Sequence, residues 1–217
     1  MDRPSSPLNA ETFALGLSTL SERDPDLARI LQTLGPPPMW ARDEGFATLI
    51  RIILEQQVSL ASAKAAFDRL SASVSPLTPA GFLTLNDAAL KTIGFSRQKA
   101  GYGRHLAEAI VAGRFDPDAL RDLDDDAARA ALVSLKGIGP WSADIYLLMA
   151  LRRPDVWPAG DLALAQAAQR AKGLPSCPSP KELEALAIPW RPWRAVAARL
   201  LWHLYLSGAK TRFAPQR

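Results

Sequence analysis

Two features between residues 132 and 170 have the residue types and spacing for chemistry. The first is Leu135-Lys136-Gly137-Ile138-Gly139-Pro140, a tight turn between two helical patterns. Glycines at 137 and 139 permit positive φ and close backbone approach, and Pro140 suits the first turn of the helix that follows. That helix is expected to run from Pro140 to Leu151, with Trp141, Ile145, Leu148 and Met149 on its apolar face. A helix N-terminus presents unpaired N–H groups and a partial positive charge, and Lys136 adds a full one, so the turn is built to take a phosphate. A plain packing corner is the alternative. The second feature is Asp161, between the loop Arg152–Gly160 and a helical run from Leu162 to Ala171. An Asp at that place is first a helix N-cap. A capped carboxylate is held rigid, and a rigid carboxylate can stabilise a developing cation or orient a water for attack. The two roles are compatible.

The elements that must position these residues are all helical patterns, with no strand signal of strength anywhere. Phe46, Leu49, Ile50, Ile53 and Leu54 recur at helical spacing, after which Glu55-Gln56-Gln57-Val58-Ser59 breaks the apolar run. A solvated face for Gln56 and Gln57 is one reading of this break. A second helix resumes at Ser59 or Leu60. Upstream, Asp24-Pro25 opens a helix with Leu27, Ile30, Leu31 and Leu34 inward, and Gly35-Pro36-Pro37-Pro38 stops it. Residues 81–90 read as one short helix. Ser96 caps the next, whose basic cluster of Arg97, Lys99 and Arg104 reads as a solvated face, with phosphate contact the alternative. Acidic residues 122–126 suit the N-terminus of the first hairpin helix. The last long helix is expected to begin at Pro192, with Trp193, Val196, Leu200, Leu201 and Leu204 available for packing.

Composition sets bounds. The chain has 217 residues, 48% of them hydrophobic, enough to build a substantial core. Its net charge of +4 and pI near 9.5 are mildly basic, as a phosphate-binding surface requires. A lone cysteine, Cys177, excludes a disulfide framework and a four-cysteine iron–sulfur cluster. His105 and His203 are too few and too scattered for a metal site. No stretch approaches the roughly 18 apolar residues of a membrane span, and the N-terminus lacks an apolar signal core, so a reducing cytoplasm is expected. Residues 1–20 are expected to be a flexible tail, although Glu11 to Leu20 can form a short helix.

L-K-G-I-G-P-W-S-A-D followed by D-V-W-P-A-G-D-L-A-L resembles the hairpin and catalytic loop of the helix-hairpin-helix DNA glycosylases. The similarity is greatest to the 3-methyladenine DNA glycosylase II branch, and it extends over roughly residues 20 to 210. It implies an all-α fold of two helical subdomains flanking a cleft, in one glycosylase unit over 21–217. The central subdomain would span 45–160 with the hairpin at 132–151, and 21–44 plus 161–217 would form the second. It implies a monomer that flips alkylated purines out of double-stranded DNA and hydrolyses the N-glycosidic bond, with Asp161 as catalytic carboxylate. Gln57 aligns with the wedge that fills the gap in the duplex, where some members carry Leu. Trp141 and Trp202 align with pocket aromatics, and Tyr146 and Trp157 lie near the site in sequence; core packing is the alternative for each. Ile145 stands where some relatives have an aromatic. Asp144 is open between lining the pocket, capping and ion pairing. Lys136, Gly137, Ile138, Gly139 and Ser142 would hold DNA phosphate, and the carbonyls of Leu135 and Gly137 would be the places for a monovalent cation. No cofactor is required. Relatives that also nick the strand use a lysine within the hairpin helix, where this chain has Trp141, which implies hydrolysis without a Schiff base. The alternatives are a non-catalytic helix-hairpin-helix DNA-binding protein and a glycosylase for other damaged bases.

Overall fold

The structure is a computed structural model that describes residues 6–208. Among these residues twelve α-helices follow one another and no strand occurs. They are α1 (Ala10–Arg23), α2 (Pro25–Leu34), α3 (Phe46–Glu55), α4 (Leu60–Ser73), α5 (Pro79–Leu83) and α6 (Asp87–Ile93). They continue as α7 (Arg97–Val111), α8 (Asp125–Val133), α9 (Pro140–Met149), α10 (Leu162–Lys172), α11 (Pro180–Ala187) and α12 (Arg194–Leu206). No helix among the described residues is long and apolar enough to cross a membrane. The chain divides into two compact units, one of residues 42–151 and one of residues 1–41 with 152–217.

The unit of residues 42–151 is organised on α3. Leu49, Ile50, Ile52 and Ile53 are fully buried, and the helix packs against α4, α7 and α9. Helix α9 is buried almost all round, from Ser142 to Leu148, as a helix apolar on every side must be. The expected single helix over 81–90 is two. Thr84 ends α5, and the Asn86 side chain accepts the N–H of Ala89 to start α6. An Asx cap in mid-pattern gives the backbone an alternative to continuing the helix.

The other unit is organised on α12, which packs against α1, α2 and α10. Its buried run from Ala195 to Trp202 includes Arg199, which has no exposed surface. The Arg199 guanidinium donates to the carbonyls of Met39 and Ala195 and lies 6.0 Å from the Phe13 ring centroid, and burial pushes its pKa down to about 9. The tail expected over residues 1–20 gives way at Ala10 to helix α1. Asn9 and Thr12 form a reciprocal capping box there, and Phe13, Leu17 and Leu20 are buried. Even Leu8 is buried, with its N–H on the Arg152 carbonyl. Residues 1–5 of that expected tail lie outside the described residues.

Asp24 ties this unit together. It caps α2, accepting from the N–H groups of Asp26 and Leu27. Its two oxygens also take the Lys172 ammonium at 2.6 and 2.7 Å, and Oδ2 takes the Trp190 indole N–H at 2.7 Å. Burial alone would push this carboxyl up, but the bonds from Lys172 and Trp190 outweigh it and hold the pKa below the ordinary carboxylate value. The stability it contributes is therefore complete above the ordinary carboxylate range and is lost as pH falls through the lowered pKa. Asp24→Asn is expected to cost about 1–3 kcal/mol at pH 7, because it takes from the half-buried Lys172 ammonium one of its two carboxylates and leaves it only Asp26, at 3.0 Å. Urea denaturation across pH should show the gap to wild type closing in acid.

Candidate active site and hairpin

The hairpin lies in the unit of residues 42–151. Helix α8 starts on the Asp124 cap, and Arg129 in its middle pairs with Asp126 on the same helix and with Asp144 on α9. The 2.7 Å Arg129–Asp144 contact clamps the two hairpin helices together, so Asp144 is ion-paired. Between the helices the turn passes through Gly137 at φ +92°, and the Tyr102 ring covers that glycine so closely that an added Cβ would lie 2.2 Å from Cγ. Helix α9 then begins at Gly139 with Pro140 at its first position and no side chain capping it. An open groove of about 750 Å³ runs along this turn, lined by Gln56, Tyr102, His105 and the segment 133–142.

Among the residues expected to hold phosphate, Lys136 and Gly139 are exposed and Gly137 is half-buried. Ile138 and Ser142 turn their side chains inward. Ile138 is buried, and its N–H is bonded to the Leu135 carbonyl. Ser142 is 3% exposed, and its hydroxyl accepts from the Gln56 amide at 2.9 Å. Neither side chain is available at the surface, because the turn must bury an apolar anchor and satisfy a polar one.

The expected pocket residues of α9 divide in the same way. Trp141 is half-buried and lines the groove. Ile145 is 3% exposed, and Tyr146 has no exposed surface. The Tyr146 hydroxyl accepts the Gly45 N–H at 2.8 Å, and burial pushes its pKa up to about 12. Tyr146 thus serves the core, where its ring gains burial and its hydroxyl keeps a partner.

Gln56 and Gln57 are neighbours with different fates. Gln56 is not on a solvated face. Its amide nitrogen donates to the Gly137 carbonyl at 2.8 Å as well as to Ser142. Gln57 is exposed and sits at φ +54°, in the left-handed region. The basic cluster on α7 is likewise divided. Arg97 is exposed, Arg104 donates to the Leu85 carbonyl and Asp87, and Lys99 turns inward to the carbonyls of Leu54 and Gln56.

In the other unit, Asp161 is the N-cap of α10 and 9% exposed. Its Oδ1 accepts the Leu164 N–H at 2.9 Å and the Trp202 indole N–H at 3.2 Å. Two donors on one oxygen fix the carboxylate's rotamer. Trp202, 8% exposed on α12, is oriented by the same bond. Trp157 packs edge-on against Trp190, with centroids 5.4 Å apart, and serves the core. Among the described residues no group of three or more His, Cys, Asp or Glu side chains could hold a metal ion. The roles of Gln56 and Lys99 were missed in the sequence. The only signal was polar residues ending an apolar helix and a lysine three positions after a cap.

A family model for HhH-GPD superfamily base excision DNA repair proteins matches residues 50–192. The chain is 29% identical over 177 residues to the alkylbase DNA glycosidase-like protein mag2 of Schizosaccharomyces pombe, spanning 79% of this chain and 82% of that one. It is 27% identical over 190 residues to DNA-3-methyladenine glycosylase 1 of the same yeast, spanning 86% and 83%. The solved structure of the S. pombe 3-methyladenine DNA glycosylase Mag1 in complex with abasic DNA superposes with a TM-score of 0.81 at 26% identity, covering 86% of this chain and 94% of that one. The chain belongs to the HhH-GPD superfamily of base excision DNA repair proteins.

Gly137→Ala is expected to destabilise the protein by about 3 kcal/mol, from the clash with Tyr102 and the positive φ together. In a Tyr102→Ala background the cost should fall to about 1 kcal/mol, the backbone part alone. Urea denaturation of the four proteins of this cycle measures both parts, and equal costs in the two backgrounds would refute the packing role of Tyr102.

Proposed function

We propose that this protein is a monofunctional DNA glycosylase that hydrolyses the N-glycosidic bond of N3- and N7-methylated purines in double-stranded DNA and leaves an abasic site. The observation that carries this reading is the Asp161 carboxylate, locked by the Leu164 and Trp202 N–H groups at the position matched to the family's catalytic Asp. An alkylated purine is already cationic, so its glycosidic bond is labile and its base leaves without protonation. What remains is to stabilise the sugar cation as it forms and to admit water. A carboxylate fixed in one rotamer does this without reorganising. The family relatives named for alkylbase and 3-methyladenine activity support the choice of substrate class.

The hairpin supplies the grip. Exposed Lys136 and the uncapped N-terminus of α9 present positive charge to a phosphate. The carbonyls of Leu135 and Gly137 each already accept one bond within the protein and keep a second lone pair. This donor set fits a weakly held monovalent cation, which would add charge beside the phosphate. The reading needs no redox or organic cofactor, and it has the protein act as a monomer on DNA in the cytoplasm.

Release of methylated bases from alkylated duplex DNA tests the assignment. Asp161→Asn keeps the cap and the acceptor for Trp202, so the fold should persist while excision falls by about 10² to 10³-fold. Wild type that binds DNA but releases no methylated, deaminated or oxidised base would instead make this a non-catalytic binding protein. Borohydride on an abasic duplex should trap no covalent complex, and efficient lysine-dependent cross-linking would overturn the monofunctional mechanism. Lys136→Ala should weaken binding about equally for all sequences and reduce the slope of log K against log salt by about 1.

A further inference from the structure

Helix α3 ends in an unusual way. Gln56 leaves the helix at φ −62°, ψ 124°, and Gln57 follows at φ +54°. Helices commonly stop with a residue in the left-handed region, and that residue is usually glycine, because a Cβ there crowds the following carbonyl oxygen. Here the place is held by a long side chain that is exposed. A strained conformation of this kind persists only where its surroundings over-determine it. The surroundings are two anchors. One is the Gln56 amide on the Gly137 carbonyl and Ser142 hydroxyl. The other is the Lys99 ammonium, 2.7 Å from the carbonyls of both Leu54 and Gln56.

Lys99 is the costlier anchor. It is half-buried on α7, and among the described residues no carboxylate lies within ion-pair distance of it. Burial pulls its pKa below the ordinary lysine value. A desolvated ammonium whose hydrogen bonds all go to main-chain carbonyls stabilises one thing, the backbone that carries those carbonyls. They lie directly before Gln57, at the negative end of the α3 dipole. Gln56 alone secures the turn from its side chain; Lys99 secures the peptide units on either side of the helix end.

We infer that Lys99 is a positioning residue for base extrusion, acting through the Leu54 and Gln56 carbonyls to hold Gln57 in the left-handed conformation from which its side chain can occupy the gap left by an expelled nucleotide. The inference rests on the glycosylase reading. Extrusion from an intact pair must break both stacking and pairing, and it costs less where the base has no partner. Loss of Lys99 therefore acts on the extrusion step and spares the chemistry at Asp161.

The test compares single-turnover excision of 7-methylguanine opposite cytosine with excision of the same base opposite an abasic-site analogue. Lys99→Met should slow the paired substrate at least ten-fold and the unpaired one less than three-fold. Lys99→Arg, which keeps two donors for the two carbonyls, should stay within three-fold of wild type on both. Equal slowing on both substrates, or none, overturns the inference, since a general loss of structure does not discriminate between them. Backbone ¹⁵N order parameters of the free protein give a second readout. Gln57 and Val58 should fall from about 0.85 to below about 0.6 in Lys99→Met, with the hairpin unchanged. If wild type excises neither base, the glycosylase reading fails and the relaxation data decide the positioning role: unchanged order parameters refute it, and loss of order confined to the turn upholds it.

Discussion

Every helix leaves unpaired N–H groups at its start and unpaired carbonyls at its end, and a chain of short helices must deal with many such ends. This constraint governs the molecule. Asp24 and Asp161 settle N-termini, Lys99 settles a C-terminus, and α9 leaves its N-terminus uncapped by any side chain. The working residues are the ones that satisfy or expose helix ends. A structural duty and a chemical one are thereby joined in the same side chains.

Asp161 shows the join most clearly. The cap bond to Leu164 is what any helix start needs, and it is also what holds the carboxylate still. The Trp202 N–H adds a second bond to the same oxygen from a residue that packs in the α12 core. A carboxylate held by only one donor would sample more than one rotamer, and part of any advantage in stabilising a cation would be lost to reorganisation. The hairpin applies the same economy. The glycine that lets Tyr102 lie on the turn also frees the backbone to approach an anion, and its carbonyl receives the Gln56 amide.

Buried charge follows two kinds of logic, and each unit uses both. Arg129 meets carboxylates and clamps α8 to α9. Arg199 and Lys99 both donate to main-chain carbonyls. A cation committed to carbonyls fixes a chain path, since each carbonyl marks one peptide unit. Of the residues that supply these carbonyls, Met39 lies in the loop between α2 and α3 and Gln56 lies directly after α3.

The sequence by itself determined most of the helices and several of their caps, because those signals act within three or four residues. Asp24-Pro25, Ser96, Gly139-Pro140 and Asp161 were all legible in this way, and the turn and Asp161 stood out as the places for chemistry. Tertiary structure alone decided which polar groups meet across the chain. Gln56 reaches Gly137 and Ser142, Lys99 reaches back to Leu54 and Gln56, and Trp202 reaches Asp161. It also decided that Tyr146, Ile138 and Ser142 face inward while Trp141 lines the groove. No periodicity encodes these outcomes. A helical pattern says which face is apolar, but the partner of a polar side chain depends on which other helix end arrives beside it, and that is set by how the cores pack.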